Sequence, residues 1–504
     1  MYRTTRIAVL MIAAMVFAAG AARCAEDAGS KLSRVPRPVL DDHADWLELY
    51  DAAWKIAFDH VKSPEPGSGL VAEFMDEAFS SWIFQWDTAF MVMFARYGNG
   101  EVPVGGSFDN FYAFQHDDGF ICRQISEEDG RGRFGRDEAD AINPPLFSWV
   151  EWQVYRMHGD AERVRRVLPV LVKYFDWIKQ NRRRESGLYY VSNWGSGMDN
   201  SPRCPTKGWS AHDDYDYTWI DMSAQQALNA LYVSRLAGAV GETGLAERFA
   251  REHAELSDLI NRLMWSGKAR FYYDLDEKGR FSRVKTIATF WTLIAEVTTQ
   301  RHADALVKHI KNEKEFWRPH PVPTLARNNI YYANEGGYWR GSIWAPTEYM
   351  TVKGLDRFGY RDLAREIVGL HLDNMYTVLK DTGTIWENYA PEMPAPGDPS
   401  KGDFVGWSGV GPIAMLIEDI IGIDADGVDG VVRWRLRETG RNGVRGLKFG
   451  NHEVSLVADK RAAADAPARI EYEAAGPFAL EVDINGKVER FELKEGRGVI
   501  EAGK

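Results

Sequence analysis

The sequence predicts a mainly α fold, a ring of helical hairpins, followed by a small all-β unit. Three observations carry that expectation. Apolar residues recur at three-to-four spacing through most of residues 36–422, the texture switches to apolar–polar alternation after Asp424, and loops rich in Trp, Gly, Asp and Asn separate the periodic stretches. With 45% hydrophobic and 27% charged residues among 504, a large packed core is available and wholesale disorder is excluded.

Taking the elements in order, Asp160 to Lys179 places Val164, Val167, Leu168, Leu171, Phe175 and Ile178 on one face behind an acidic cap, with Pro169 expected to kink the helix or open a new first turn. Glu242 to Met264 repeats the pattern with Leu245, Phe249, Leu256, Leu259, Ile260 and Leu263, and Arg361 to Leu379 does so with Leu363, Ile367, Leu370 and Val378. Further helices are expected at 39–62, 87–97, 145–158, 221–238, 286–296, 300–312, 342–357 and 409–421. Paired helices over this length suit a barrel whose chemistry lies on the inner loops. Beyond it, Val431–Arg437, Val444–Leu447, Glu453–Ala458, Arg469–Ala474, Ala479–Ile484 and Val488–Leu493 alternate as strands, giving a sandwich-like unit over 427–504 packed on one end of the barrel. The charged, glycine-rich stretch Ile125–Ala141 reads as an exposed loop, with a mobile lid as the functional alternative.

The N-terminus reads as a secretory signal peptide over 1–22: Arg3 and Arg6 precede an apolar run from Ile7 to Gly20, then small residues to Ala22. Export to a periplasmic or extracellular compartment follows as an expectation. Arg23 directly before Cys24 fits a lipid-anchor site poorly, and the apolar run is short for a membrane span. Three cysteines are too few for a disulfide scaffold; Cys122 and Cys204 can pair or be buried as small hydrophobes. No Cys/His spacing marks a metal site and no cofactor motif is present. Asp274 to Gly279 begins like a calcium loop, but Lys278 stands at the third ligand position, so a hairpin turn is expected there.

A net charge of −12 argues against nucleic acid or an anionic membrane as the main partner. Eighteen Trp, many beside carboxylates or glycines, suit carbohydrate, whose C–H faces stack on rings while hydroxyls take hydrogen bonds. Oligomeric state is not legible.

Several segments concentrate chemistry. Asp199 lies in Ser196-Gly-Met-Asp-Asn-Ser-Pro-Arg203, where glycine on one side and Asn-Ser-Pro on the other force a rigid turn. Beside Trp194 its carboxyl is expected to be desolvated and to stay protonated as a general acid, although Asp in such turns also serves to bond its own backbone. Glu387, in Trp386-Glu-Asn-Tyr389, is a candidate base for activating water. Trp82–Phe90 offers Trp86 as a stacking face and Asp87 as an acceptor for adjacent hydroxyls, and Tyr338-Trp-Arg-Gly-Ser-Ile-Trp344 packs three rings and an Arg around one glycine.

Together these segments resemble the (α/α)6-barrel glycosidases of the clan that holds trehalases and glycoside hydrolase family 63, closer to family 63. Seven motifs stand in family order: Gln85-Trp-Asp87, Phe114-Gln-x-x-Asp-Gly-Phe-Ile121, Asn143-Pro-Pro-Leu146, the Asp199 segment, the 338–344 segment, the Glu387 segment and Phe404-Val-Gly-Trp-Ser-Gly409. The resemblance implies a six-hairpin toroid, hydrolysis of an α-linked glucosyl or mannosyl glycoside with inversion, Asp199 as acid and Glu387 as base. It further implies a sugar subsite at Trp86, Asp87, Gln115, Tyr338, Trp339 and Arg340, with Trp194 and Trp386 as ring platforms. The trehalase signatures are missing, as is the large N-terminal β-domain of the processing glucosidases. A non-catalytic sugar-binding protein on the same scaffold, a trehalase and a polysaccharide lyase stand as alternatives; a binder has no need of the carboxylate pair.

Overall fold

The computed structural model describes residues 29–77, 80–203 and 217–503. The signal-peptide expectation, Cys24 and Cys204 lie outside them. Two concentric layers of helices account for the bulk of the chain. Gln85–Ala95, Phe147–His158, Ile220–Ala239, Trp291–Ile294, Ala345–Arg357 and Gly411–Ile421 each touch the next, and the last touches the first, closing an inner ring. Their sequences show why they sit inside: every residue of Gln85–Ala95 is buried, as is almost every residue of Gly411–Ile421. Ala44–Asp59, Gly105–Ala113, Ala161–Asn181, Thr243–Leu263, Gln300–Ile310 and Arg361–Thr382 alternate with them along the chain and form the outer layer. These outer helices are amphipathic; Thr243–Leu263 buries only Phe249, Leu256 and Ile260. The arrangement is the (α/α)6 toroid.

Most elements lie within a few residues of expectation, and the exceptions have physical reasons. Ala161–Asn181 runs unbroken through Pro169. The expected helix at 39–62 begins only at Ala44, because Arg37–Leu40 is a strand pairing antiparallel with Asn442–Arg445. The helix at 409–421 is wound wide, and Gly422 N–H donates to the Ile417 carbonyl five residues back at 3.0 Å.

The strands form two sheets. One has the order Arg37–Leu40, Asn442–Phe449, His452–Ala458, Ala468–Ala474, Gly496–Ala502. The other runs Lys487–Leu493, Phe478–Ile484, Val431–Arg435, Ile423–Asp426, with the middle pair parallel. The strands Ile423–Asp426 and Gly496–Ala502 were not anticipated, and the 37–40 strand shows that the β unit is not built from the C-terminal segment alone. It lies against the C-terminal end of the inner ring. There Tyr97, Tyr349 and Lys353 converge on Glu418 at 2.8, 3.1 and 2.7 Å, and Arg156 reaches across to Asp426 at 2.8 Å. The motif-bearing loops gather at the opposite end, around the N-termini of the inner helices. No described helix is long and apolar enough to cross a membrane.

Candidate active site

Loops that feed the inner helices converge on one pocket of about 190 Å³, lined by Trp86, Asp87, Arg123, Gln124, Trp194, Asp199, Tyr338, Trp339, Trp344 and Trp407 among others. It is smaller than the ~300–1,000 Å³ usual for drug-sized ligands, a scale that suits one sugar ring. Trp86 and Asp87 occupy the first turn of an inner helix. Gln85 fixes that turn: its amide donates to the Ile121 and Cys122 carbonyls at 3.2 and 3.0 Å and accepts from the Tyr174 hydroxyl at 3.1 Å. Trp339 stacks on Trp344 with centroids 4.2 Å apart, building an aromatic wall.

The Asp199 loop is rigid for reasons written in its sequence. Ser192 accepts from Gly195 N–H to cap a single turn, and Ser192 Oγ in turn donates to Asp140. Gly197 leaves the turn at φ +77°, the left-handed region that glycine enters without strain. Asn200 then ties this loop to the aromatic wall. Its side chain accepts from Trp339 N–H at 2.9 Å and donates to the Gly337 carbonyl at 3.1 Å, while its own carbonyl accepts from Arg340 Nε at 3.2 Å. At the loop's end Arg203, wholly buried, binds Asp221 and Asp274 through contacts of 2.5–2.9 Å and lies over the Trp219 ring.

Glu387 is held from the other side. Its backbone N–H donates to the Lys401 carbonyl and its carbonyl accepts from Trp407 Nε1, both at 2.8 Å. Tyr338, which lines the pocket, donates its hydroxyl to Glu387 Oε1 at 3.1 Å. Burial pushes the Glu387 carboxyl up to about 7; Tyr338 and Lys401 oppose the rise, and the charge of Asp199 adds to it. Burial likewise drives Asp87 well above the usual carboxylate range, with Arg123 opposing and Glu387 and Asp199 reinforcing. Asp199 and Glu387 therefore feel one another at the same end of the barrel. Glu387, only 4% exposed, is the more buried of the two, since Asp199 is partly exposed. This reverses the expectation that desolvation would fall mainly on Asp199. Asp87 Oδ2 and Gln124 Nε2 are buried in this wall without a protein partner among the described residues, the condition of groups that await a ligand's hydroxyls.

Three expected subsite residues are elsewhere. Gln115 spends its amide on the Gly119 and Val170 carbonyls at 3.1 and 2.9 Å, at the foot of an outer helix. Arg340 braces the Asn200 backbone and does not line the pocket. Trp386 turns outward and donates Nε1 to Thr382 Oγ1 at 2.9 Å. Trp344 and Trp407 line the pocket, and both stood in recognised motifs. Arg123 and Gln124, which follow the 114–121 motif after Cys122, carried no local signal. Part of the stretch at 125–141 also reaches the site: Arg133 lies over the Trp82, Phe134 and Trp194 rings at 5.5–5.8 Å and lines the pocket.

A family model described as the mannosylglycerate hydrolase MGH1-like glycoside hydrolase domain matches residues 81–408, the span that carries every element of this site. An uncharacterized protein of Borreliella burgdorferi is 28% identical over 390 residues, 75% of this chain and 80% of that one. A probable mannosyl-oligosaccharide glucosidase of Schizosaccharomyces pombe is 25% identical over 331 residues, 58% of this chain and 39% of that one. Among solved structures, the glycoside hydrolase family 63 mannosylglycerate hydrolase of Thermus thermophilus in complex with glucose superposes with a TM-score of 0.59 at 18% identity, covering 73% of this chain and 99% of that one. At that identity the superposition speaks for the fold alone.

Proposed function

We propose, since the chain belongs to the family of mannosylglycerate hydrolase MGH1-like glycoside hydrolases, that it is an exported, inverting α-glycosidase acting on a small α-linked mannosyl or glucosyl conjugate. The observation that carries this reading is the meeting of three carboxyls at one Trp-walled pocket: Asp199 and Asp87 line it, and Glu387 is bonded to its Tyr338. A sugar ring set against Trp339 and Trp86 presents hydroxyls to Asp87 and Gln124. Asp199, which lines the pocket and is partly exposed, protonates the leaving oxygen. Glu387 removes a proton from water on the opposite face as an oxocarbenium-like transition state forms. Its raised basicity favours that role, because a desolvated carboxylate is the stronger base once ionised. Inversion requires about 6.5–9.5 Å between the two carboxyls to admit the water.

The names of the relatives support a small conjugate or a trimmed oligosaccharide as substrate, and the small pocket supports recognition of one terminal sugar. Export rests on the signal-peptide pattern of residues 1–22. The test is a panel of α- and β-linked mannosyl and glucosyl glycosides, including mannosylglycerate and trehalose. Release of sugar from α-mannosides or α-glucosides is expected. Binding without turnover across the panel would instead favour the non-catalytic reading.

A further inference from the structure

Away from the pocket, the barrel wall contains a wholly buried cluster of His320, Glu348 and His371. Glu348 comes from the inner helix Ala345–Arg357, His371 from the outer helix Arg361–Thr382 and His320 from the loop between Gln300–Ile310 and Ala345. One ligand atom from each lies within 4.8 Å of the other two. His371 Nδ1 is 2.5 Å from Glu348 Oε2 and 2.8 Å from His320 Nε2.

Protons alone do not satisfy this arrangement. An imidazole nitrogen in the ring plane either carries a hydrogen or offers a lone pair. If His371 Nδ1 donates to Glu348, it has no lone pair for His320. If it accepts from His320, its lone pair faces a carboxylate oxygen. One of the two close approaches is always left without a good hydrogen bond, in an interior where such a defect is costly. Glu348 Oε1 and His371 Nε2 have no hydrogen-bond partner among the described residues either. The ring of His371 sits against Gly411, where a Cβ would lie 2.9 Å from Nε2, so this position is packed for an imidazole. The chain nearby is held against its preference: Val322, two residues after His320, adopts φ +58°, a strained value for a β-branched side chain.

The geometry points to a divalent transition-metal site, with zinc(II) the best fit, formed by His320 Nε2, His371 Nδ1 and the Glu348 carboxylate. Two imidazoles and a carboxylate match zinc, whereas calcium and magnesium select all-oxygen shells. Tetrahedral bonds of about 2.0–2.1 Å place neighbouring ligand atoms about 3.3 Å apart, so the two His371 approaches, now 2.5 and 2.8 Å, each open by less than an ångström to admit the ion. The second Glu348 oxygen completes four donors. The bound ion is structural in its placement. It fastens the His320 loop, whose backbone N–H donates to the Pro391 carbonyl at 3.0 Å, and through that loop the segment bearing Glu387, to both helical layers.

Metal analysis of the purified full chain, and of chain refolded with Zn²⁺ and then exhaustively dialysed, tests this directly. About one equivalent per chain is expected, with loss of most of it in His371→Gln and Glu348→Gln. Refolding with Co²⁺ gives a readout independent of those variants' folding: visible d–d bands of a four-coordinate N/O site are expected in the wild type. Two outcomes would overturn the assignment. One is a folded wild type that retains no metal after refolding with either ion. The other is retention of wild-type stoichiometry by His371→Gln, which places the metal elsewhere. Glycosidase activity does not enter either result, so the assignment stands or falls apart from the proposed function.

Discussion

Arg203→Met removes the cation that anchors the far end of the Asp199 loop. Arg203, Asp221 and Asp274 are each at most 1% exposed, and four short contacts join the guanidinium to both carboxylates. Even with the arginine in place, burial holds Asp274 above its usual range. Breaking a buried pair while leaving its partners charged costs about 3–5 kcal/mol, and a value near 4 is roughly a thousandfold in the folding equilibrium. The pH dependence has a definite sign. Without Arg203, the folded-state pKa of Asp274, already raised by burial, rises further above its unfolded value near ~3.9. The penalty is then fully present at pH 7 and relieved as pH falls through that raised folded value. Urea midpoints by Trp fluorescence at pH 7 and pH 5, for wild type and variant, measure it. The deficit should shrink on acidification, and Asp221→Asn with Asp274→Asn in the variant background should recover part of it. A loss under about 1 kcal/mol at pH 7, or a deficit that grows at pH 5, would refute the reasoning.

Further outcomes follow from the same geometry. Glu387 must be ionised to accept a proton, so kcat/KM should rise with pH through about 7. Tyr338→Phe removes the hydrogen bond that lowers the Glu387 pKa and should shift that limb upward; a limb that stays put in pH-rate profiles would detach Glu387 from it. Asp87→Ala removes a buried hydrogen-bonding partner of the sugar and should lower kcat/KM by about 1–3 kcal/mol, roughly five- to more than a hundredfold, whereas wild-type kinetics would place Asp87 outside the sugar site. Gln115→Ala should lower the urea midpoint while leaving KM within about twofold, because its amide donates to the Gly119 and Val170 carbonyls. A large rise in KM with normal stability would return it to the subsite.

The inner ring was legible in the sequence because continuous apolar helices such as Gln85–Ala95 have no other place to be. Five of the six outer helices were legible because their apolar residues keep a three-to-four spacing; Gly105–Ala113, a short helix that opens on two glycines, was not anticipated. The strand at Arg37–Leu40 was not, since four residues carry too little alternation to announce a partner four hundred residues away. At the site, Asp199 and Glu387 could be read because each stands in a turn-bounded, aromatic motif. The direction a side chain takes could not be read. Trp386 and Trp407 look alike in sequence, yet one bonds Thr382 outside the pocket and the other bonds the Glu387 backbone. The relative burial of the two carboxyls is a property of the assembled loops. The His320–Glu348–His371 cluster was invisible for a similar reason: its members lie 28 and 23 residues apart (348 − 320 and 371 − 348), with no local motif.

The central claim is that Asp199 and Glu387 act as an inverting acid–base pair. Proton NMR of the newly released sugar from an α-glycoside that the panel shows to be cleaved, recorded before mutarotation, tests it most directly when run beside Asp199→Asn and Glu387→Gln. The wild type should release the β-anomer first, and each variant should lose several powers of ten in rate while keeping its circular dichroism. An initial α-anomer, or near-normal turnover by either variant, would contradict the account.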